Sequence, residues 1–452
     1  MSREAALANE SARSAPDELV GRATSLLSEL LRLDTSNPPG AERGAQELLR
    51  AVLDEAGFEC ELVGREPERP NLVARLSSGA PGPSLCILGH ADTVPANADE
   101  WSFDPWVGDV VDGMVRGRGA QDMKGQVAAG ISACAALALS GWRPRRGELL
   151  VVITADEEMG GGFGARWLCE ERPDIVRCDY VLNEGGGVAV DFGGRRFYTL
   201  ALGEKGVFRF QLRARGTAGH ASVPRNGDNA LIKLAALIGR LAERQPPPEP
   251  TPEGVALMSV LLDSEIDADP ATLADALAEI ETRDPALAAF LVEPALSVTL
   301  SPTKARASEK ANVIPSVAET LVDCRVPPGW GEAEVLDRVQ GIVGAEAGEI
   351  EFVDRIVGNI SPLDSPLADA LGEWLGASDP GSGIVPAVMP GFSDSHWFRK
   401  AFGAVAYGFS PIRAFSLGEV VPLFHGADER IPVDDLALAA RFFYEMPPRM
   451  LG

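Results

Sequence analysis

The chain has 452 residues, 45% of them hydrophobic, which is length enough for two or three domains with ordinary buried cores. Its formal net charge of −25 repels nucleic acid and anionic membrane surfaces, so neither is expected as a partner. No apolar run approaches the ~20 residues that span a bilayer, no secretory h-region is visible, and the six cysteines are scattered without CxxC spacing, so a cytoplasmic protein with reduced thiols is expected.

Residues 1–16 read as a loose tail. An amphipathic helix is expected over about 17–33, stopped by "DTSNPPG". "NLVARL" and "SLCILGHAD" read as buried strands, and "VGDVVDGMVRGRG" as a hairpin, because Asp112 and Gly113 suit a type I′ turn. "DMKGQVAAGISACAALALSG" is a helix rich in small residues, followed by strand 148–154, helix 163–172 and strand 179–183. This alternation predicts an α/β catalytic domain with a mixed, mainly parallel sheet flanked by helices, whose ligands gather outside the carboxyl ends of the strands. After about 203 the pattern changes. "GVFRFQLRARG" alternates as a half-exposed antiparallel strand, helix 228–244 ends at the loop "QPPPEPTPEG", and 254–291 are mostly helical. Strands near 295–302 and 317–326, helix 332–345 and strand 349–354 complete an α+β, ferredoxin-like set. The α/β character then returns and runs to a final helix at 433–446. The expected domains are 17–203 and 357–452 for the catalytic part and 204–356 for the insertion.

The strand 148–154 runs into Asp156, Glu157 and Glu158, three adjacent acids that repel most where water is scarce. Each neighbouring residue of interest has an ordinary alternative. His90 at a strand end suits a satisfied core histidine, Asp122 an N-cap, Glu184 a loop acid and His425 a surface loop. Together, however, His90, Asp122, Glu157, Glu158 and Glu184 fall outside the strand C-termini of one sheet, and His425 joins them if the last segment packs there. Two histidines and three carboxylates suit a pair of Zn²⁺ ions with one carboxylate bridging, which leaves a fourth carboxylate for proton transfer. Asp92, two residues after His90, is placed to receive one imidazole N–H. Glu157 and Glu158 point opposite ways if the segment is extended, so one faces metal and the other the attacking water.

In this order, "HADTVPA", "GRGAQDMKG", "TADEEMGGGFGA", "NEGG", "GTAGHASVP", "NVIP", "DCRVPPG" and "FHGADERI" resemble the co-catalytic dizinc hydrolases. That family contains aminoacylase, acetylornithine deacetylase, succinyl-diaminopimelate desuccinylase and glutamate carboxypeptidase, and the likeness covers nearly the whole chain after residue 17. The resemblance implies that His90 and Glu184 hold one zinc, Glu158 and His425 the other, and that Asp122 bridges, with a cis peptide after it. It makes Glu157 the general base, Asp92 the carboxylate that orients His90, and His220 the group that stabilises the oxyanion from a partner subunit of a homodimer. Asn312 and Arg325 match residues that bind the substrate's carboxylate, a role a guanidinium fork suits. The inserted domain becomes a lid and dimerisation domain. His396, in "GFSDSHWFRK", stands where the family commonly has a basic residue and reads as structural or pocket-lining.

The implied activity is metal-assisted hydrolysis of the amide of N-acyl-L-amino acids, with water activated at two zinc ions, for which Co²⁺ or Mn²⁺ can substitute. A carboxypeptidase or dipeptidase of the same family is the alternative. Glu184 favours the deacylase, since the family's deacylases typically carry Glu there and its peptidases Asp. A binding protein that has lost catalysis would need a missing ligand, and none is missing. A dinucleotide-dependent oxidoreductase is suggested by "GGGFGA" at 160–165, but Asp156, Glu157 and Glu158 stand where a pyrophosphate would bind, and like charge forbids it. No HExxH helix or G-x-S-x-G elbow is present.

Overall fold

The strand that ends in the acidic run forms where its sequence is most apolar. In Glu148–Thr154, the residues Leu149, Leu150, Val151, Val152 and Ile153 are each at most 1% exposed. Burying one such side chain contributes ~1.5–3 kcal/mol, so this stretch is an anchor able to hold a strained, charged end. It pairs in parallel with Ser84–His90, in register from Ser84 opposite Glu148 to His90 opposite Thr154. Ser84–His90 pairs in parallel with Tyr180–Asn183, and that strand with Val405–Gly408. Outward from this centre the pairing becomes antiparallel, through Asn71–Ser77 and Glu59–Val63 on one side and Arg195–Glu204 with Ala189–Phe192 on the other. Gly383–Met389 completes a nine-stranded mixed sheet at the edge beyond Arg195–Glu204. The parallel centre puts the C-terminal ends of three adjacent strands, at His90, Thr154 and Asn183, on one edge.

The computed structural model describes residues 18–243, 248–344 and 348–452. The expected tail at 1–16, part of the loop after 244 and the end of helix 332–345 lie outside them. The chain divides into two compact units. The first runs to Gly203 and resumes as Ser361–Ala387 and Ser393–Gly452; the second is Glu204–Ile360 with Val388–Phe392. The change of unit falls after Ile360 rather than after 356, because Val207 pairs with Ile356 and the Gly329 N–H bonds to the Gly358 carbonyl.

In the first unit, helix Lys124–Leu139 is buried at every residue but its last, and it packs against helices Leu19–Leu31, Arg43–Glu55 and Val433–Leu451. It can begin close to the loop before it because Gly125 has no Cβ; one there would lie 2.2 Å from the Ala120 carbonyl oxygen. Lys124, buried at the first turn, donates from Nζ to the carbonyls of Leu30 and Leu33, which ties two helices together. The hairpin Asp109–Val111 to Met114–Arg116 turns at Asp112 (φ 50°) and Gly113 (φ 75°), as type I′ geometry requires. Met114–Arg116 also pairs with Arg430–Pro432, which brings the chain around His425 beside the chain around Asp122. The last helix runs to Leu451 rather than stopping near 446, passing through Pro447 and Pro448. Burial of Met446, Pro447 and Leu451 holds a turn that the prolines, lacking N–H groups, would otherwise end.

In the second unit, the strands lie in the order Glu349–Phe352, Phe210–Arg215, Val317–Val326, Thr299–Arg306, all antiparallel. Numbered along the chain this is 4-1-3-2, the ferredoxin-like arrangement. Helices Ala230–Glu243 and Glu332–Val343 close the core through Leu234, Leu237 and Val339 against Phe210, Leu212 and Val322. A helical excursion between Pro252 and Leu296 precedes the strand at Thr299. Five cysteines are buried, Cys60 is half-buried, and all six are free. Among the described residues no helix is long and apolar enough to cross a membrane.

Candidate metal centre

His90 is the last residue of its strand, and its side chain is 1% exposed. Its Nε2 lies 3.1 Å from Asp122 Oδ1, 3.7 Å from Glu184 Oε1 and 4.0 Å from Glu157 Oε2. His425 approaches from the other side, with Nε2 3.2 Å from Asp122 Oδ2 and 3.2 Å from Glu158 Oε2. Asp122 therefore presents one oxygen to each imidazole. The donor atoms of His90, Asp122 and Glu158 all lie within 4.8 Å of one another, and so do those of His90, Glu157 and Glu184. The peptide between Asp122 and Met123 is cis.

The acidic run is not extended. Asp156 takes φ 66° and Glu157–Met159 form a 3-10 turn. Three residues per turn still sends neighbouring side chains apart, so Glu157 faces His90 and Glu184 while Glu158 faces His425. Asp92 staples the turn: Oδ1 accepts from the Glu157 N–H at 3.2 Å and Oδ2 from the Glu158 N–H at 3.3 Å. The His90 ring is nearer to Asp92's main chain than to its carboxylate. Nδ1 is 3.0 Å from the carbonyl oxygen and 3.5 Å from Oδ1. Asp156 turns away from the centre. It accepts from Asn37 Nδ2 at 2.9 Å, Arg69 Nη2 at 3.1 Å and the Phe163 N–H at 3.1 Å. Asn37 also donates to Asp92 Oδ2 at 2.9 Å, and Arg69 forks onto buried Glu42 while its guanidinium sits 4.7 Å over the Phe163 ring. One of the three adjacent acids is thus neutralised by a cation, and two remain for the centre.

The electrostatics show how short of positive charge the centre is. Burial, then Glu184, push the Glu157 carboxyl well above its usual range, and burial pushes Glu184 up to about 7. Burial would raise Asp122 too, but hydrogen bonds from His425 and His90 hold it below the usual carboxylate range. Burial opposes charge on His90, yet Glu184, Asp122 and Asp92 raise it well above its ordinary value. Hydrogen bonds to Asp122 and Glu158 push half-exposed His425 up to about 10. Among the described residues, the ion-pair partners of Asp122, Glu157, Glu158 and Glu184 are all histidines. Glu158 Oε1 is buried without a hydrogen-bond partner. A cluster of this kind fits divalent cations: oxygen and imidazole donors converge, and one buried acceptor is left over.

His220, Asn312 and Arg325 lie in the second unit. His220 is exposed in the short strand Gly219–His220, which pairs with Val313–Ile314, and its Nδ1 accepts from the Ser222 N–H at 3.2 Å. Asn312 is exposed and its carbonyl accepts from the Ala221 N–H. Arg325 forks onto Asp323, Nε to Oδ1 at 2.7 Å and Nη2 to Oδ2 at 3.3 Å. His396 is buried with its ring edge-on to Trp397.

Sequence reasoning passes over Asn37, Arg69, Asp394 and Glu429. Asp394 stands two residues before His396, and the histidine is the more conspicuous of the two. An Asp opening a helix suggests an N-cap, but Asp394 makes no cap bond. Its Oδ2 is instead 2.6 Å from Thr154 Oγ1, and burial pushes it up to about 7. Glu429 lies within the same "FHGADERI" as His425, is fully buried, and turns its carboxylate to the Asp122 loop.

A model of peptidase family M20/M25/M40 matches residues 86–448. The chain is 38% identical over 224 residues to a succinyl-diaminopimelate desuccinylase of Xanthobacter autotrophicus, an alignment covering 48% of this chain and 56% of the relative, so it spans only about half that relative's length. It is 28% identical over 376 residues to the human N-fatty-acyl-amino acid synthase/hydrolase PM20D1, covering 80% of this chain and 72% of that protein. Among solved structures, an M20 family metallo-carboxypeptidase from Sulfolobus solfataricus superposes with a TM-score of 0.70 at 18% identity, covering 97% of this chain and 99% of that one, a likeness of fold.

Proposed function

The chain belongs to peptidase family M20/M25/M40, and on that ground we propose that it hydrolyses the amide bond of small substrates with a free carboxylate, N-acyl-L-amino acids foremost, at a centre for two divalent ions such as zinc. The observation that carries this reading is the division of Asp122 between two imidazoles, one oxygen to each. His90 and Glu184 would hold one ion, His425 and Glu158 the other, and Asp122 both. When bound, such ions supply Lewis acidity that polarises the scissile carbonyl and makes water acidic near neutral pH. Glu157 takes the proton of the attacking water and returns it to the leaving nitrogen. Asp92 keeps Glu157 aimed by holding the turn beneath it. With Nδ1 accepting from the Ser222 N–H, a neutral His220 ring would carry its hydrogen on Nε2. That is the form able to donate to an oxyanion. We propose that a partner subunit of a homodimer delivers it.

The names of two relatives, a desuccinylase and an N-fatty-acyl-amino acid synthase/hydrolase, support an N-acyl substrate. The fold alone is shared with a carboxypeptidase, which keeps a peptidase as the second reading. Zinc-loaded protein should cleave N-acyl amino acids with a higher kcat/KM than dipeptides with free termini. Dipeptides favoured by more than tenfold, ~1.4 kcal/mol in the transition state, would overturn the deacylase reading.

Subunit mixing tests the composite site. His220→Ala and Glu157→Ala proteins, each inactive, should regain activity when their subunits exchange, since one site per mixed dimer is whole. Dimers that exchange without rescue would place His220 in its own subunit's site or in none.

Metal binding should release protons. The surrounding carboxylates favour the protonated form of both imidazoles, raising His90 above its ordinary value and pushing His425 up to about 10, whereas an imidazole ligand must be neutral. Apparent affinity should therefore rise with pH, by about tenfold per unit for each proton displaced. Calorimetry in buffers of different ionisation enthalpy measures that number, and a heat independent of buffer would contradict this assignment of the ligands.

A further inference from the structure

Glu429 is 0% exposed, yet its carboxylate is fully used. Oε1 accepts from the Gln121 N–H at 2.7 Å and the Asp122 N–H at 3.0 Å. Oε2 accepts from the Gly119 N–H at 2.8 Å and Arg118 Nη1 at 2.8 Å. A carboxylate offers about four acceptor positions, and all are filled, three of them by the main chain of the loop that carries Asp122. The main chain of Glu429 adds a fourth tie to that loop by accepting from the Gly117 N–H at 3.0 Å. Arg118 closes the circuit. Its Nη2 donates to the His425 carbonyl at 3.3 Å, and its guanidinium lies 5.0 Å over the Trp101 ring.

We infer that Glu429 is a positioning residue for the second of the two metal sites, fixing the Asp122 loop against the His425 turn so that both side chains meet one ion. The inference rests on the two-metal reading. A buried ion pair is weak evidence for stability as such, since apolar residues of similar volume often do as well. What Glu429 and Arg118 supply that apolar residues cannot is a fixed register between segments some 300 positions apart, three main-chain N–H groups on one side and a main-chain carbonyl on the other. The second site draws two of its three ligands, Asp122 and His425, from the segments so joined. The first draws only Asp122 from them, and its His90 and Glu184 come from strand ends that Glu429 does not touch. Loss of the clamp should therefore fall mainly on the second ion.

The test uses metal-free full-length protein in three forms, wild type, Glu429→Gln and Arg118→Met. The glutamine keeps one acceptor oxygen and sets an amide N–H₂ against two N–H donors. The methionine leaves the three main-chain bonds to the Glu429 carboxylate intact but removes the Arg118 Nη1 bond to Oε2 and frees the His425 carbonyl, so it cuts the clamp from the other side if the glutamine variant folds poorly. Each is titrated with Zn²⁺ by calorimetry and with Co²⁺ by visible spectroscopy, and the melting temperature without metal is recorded. Wild type should take two ions. Both variants should bind one ion as wild type does and the other about 10–100-fold more weakly, with the Co²⁺ spectrum altered only for the weakened ion. Two ions bound at wild-type affinity in both variants would overturn the clamp alone. Equal weakening of both sites with a lowered metal-free melting temperature would also overturn it, as general destabilisation. A wild type that takes fewer than two ions would remove the two-metal reading and the clamp together.

Discussion

Glu157→Gln should lower kcat by ~10²–10⁴ and keep both metal ions, whereas Glu158→Gln should lose metal. The two residues are neighbours of the same type, so the difference has to come from the turn that carries them. In the 3-10 turn, Glu158 Oε2 is 3.2 Å from His425 Nε2 and its other oxygen is buried without a partner, an acceptor that a cation would satisfy. Glu157 Oε2 stands off His90 at 4.0 Å, and burial with Glu184 pushes its carboxyl upward, as suits a group that must accept and return a proton near neutral pH. The turn is held by main-chain N–H groups donating to Asp92, which neither substitution removes. Elemental analysis beside steady-state kinetics separates the outcomes. Full activity in Glu157→Gln would end its role as base. Loss of metal from that variant would make it a ligand, an arrangement its closeness to His90 and Glu184 makes worth testing.

The largest stability effect should come from Arg69→Met, at about 3–5 kcal/mol, the usual cost of removing one partner from a buried ion pair. Arg69 Nη2 lies 2.7 Å from Glu42 Oε1 and 3.1 Å from Asp156 Oδ1, and Glu42 and Asp156 are 0% and 4% exposed. Without the guanidinium, two buried carboxylates face each other uncompensated. Arg69→Lys should recover part of the loss, since an ammonium keeps the charge but cannot fork onto Glu42 while reaching Asp156. Chemical denaturation of the metal-free protein measures both. A loss under about 1 kcal/mol for Arg69→Met would show that water or a shifted side chain replaces the guanidinium. Activity should fall as well, because Asp156 precedes the turn that aims Glu157.

The part of the centre that is legible in the sequence is the part set by strand periodicity. Continuous apolar runs at 84–90, 148–154 and 180–183 identify buried parallel strands, and buried parallel strands end on a common edge, so the amino-acid pattern alone groups His90, Glu157, Glu158 and Glu184. His425 needs the pairing of Arg430–Pro432 with Met114–Arg116, which no local pattern announces. The partners of the third acid are illegible for the same reason. Arg69 and Asn37 lie 87 and 119 residues before Asp156, and nothing in "REPERP" or "TSNPPG" says which carboxylate they will meet. The turn at 156–159 departs from the extended chain that its neighbours suggest because its helical geometry depends on Asp92, again a distant residue. The last helix runs past its expected end because packing outweighs the local preference against proline.

The position of Val405–Gly408 bears on the order of biosynthesis. This strand lies between Tyr180–Asn183 and Arg195–Glu204, although about 200 residues separate it from them along the chain. While the ribosome is still translating the second unit, the sheet of the first has a gap through its middle, with the edges of two strands open. The second unit's strands follow one another from Phe210 to Phe352 without borrowing from outside, so it can collapse while its host is incomplete. The order of synthesis thus allows the second unit to close before the first, whose sheet is incomplete until Val405–Gly408 has left the exit tunnel. Exposed strand edges invite pairing with other chains, so the interval between synthesis of Asn183 and of Gly408 is when this protein most needs shielding from its neighbours.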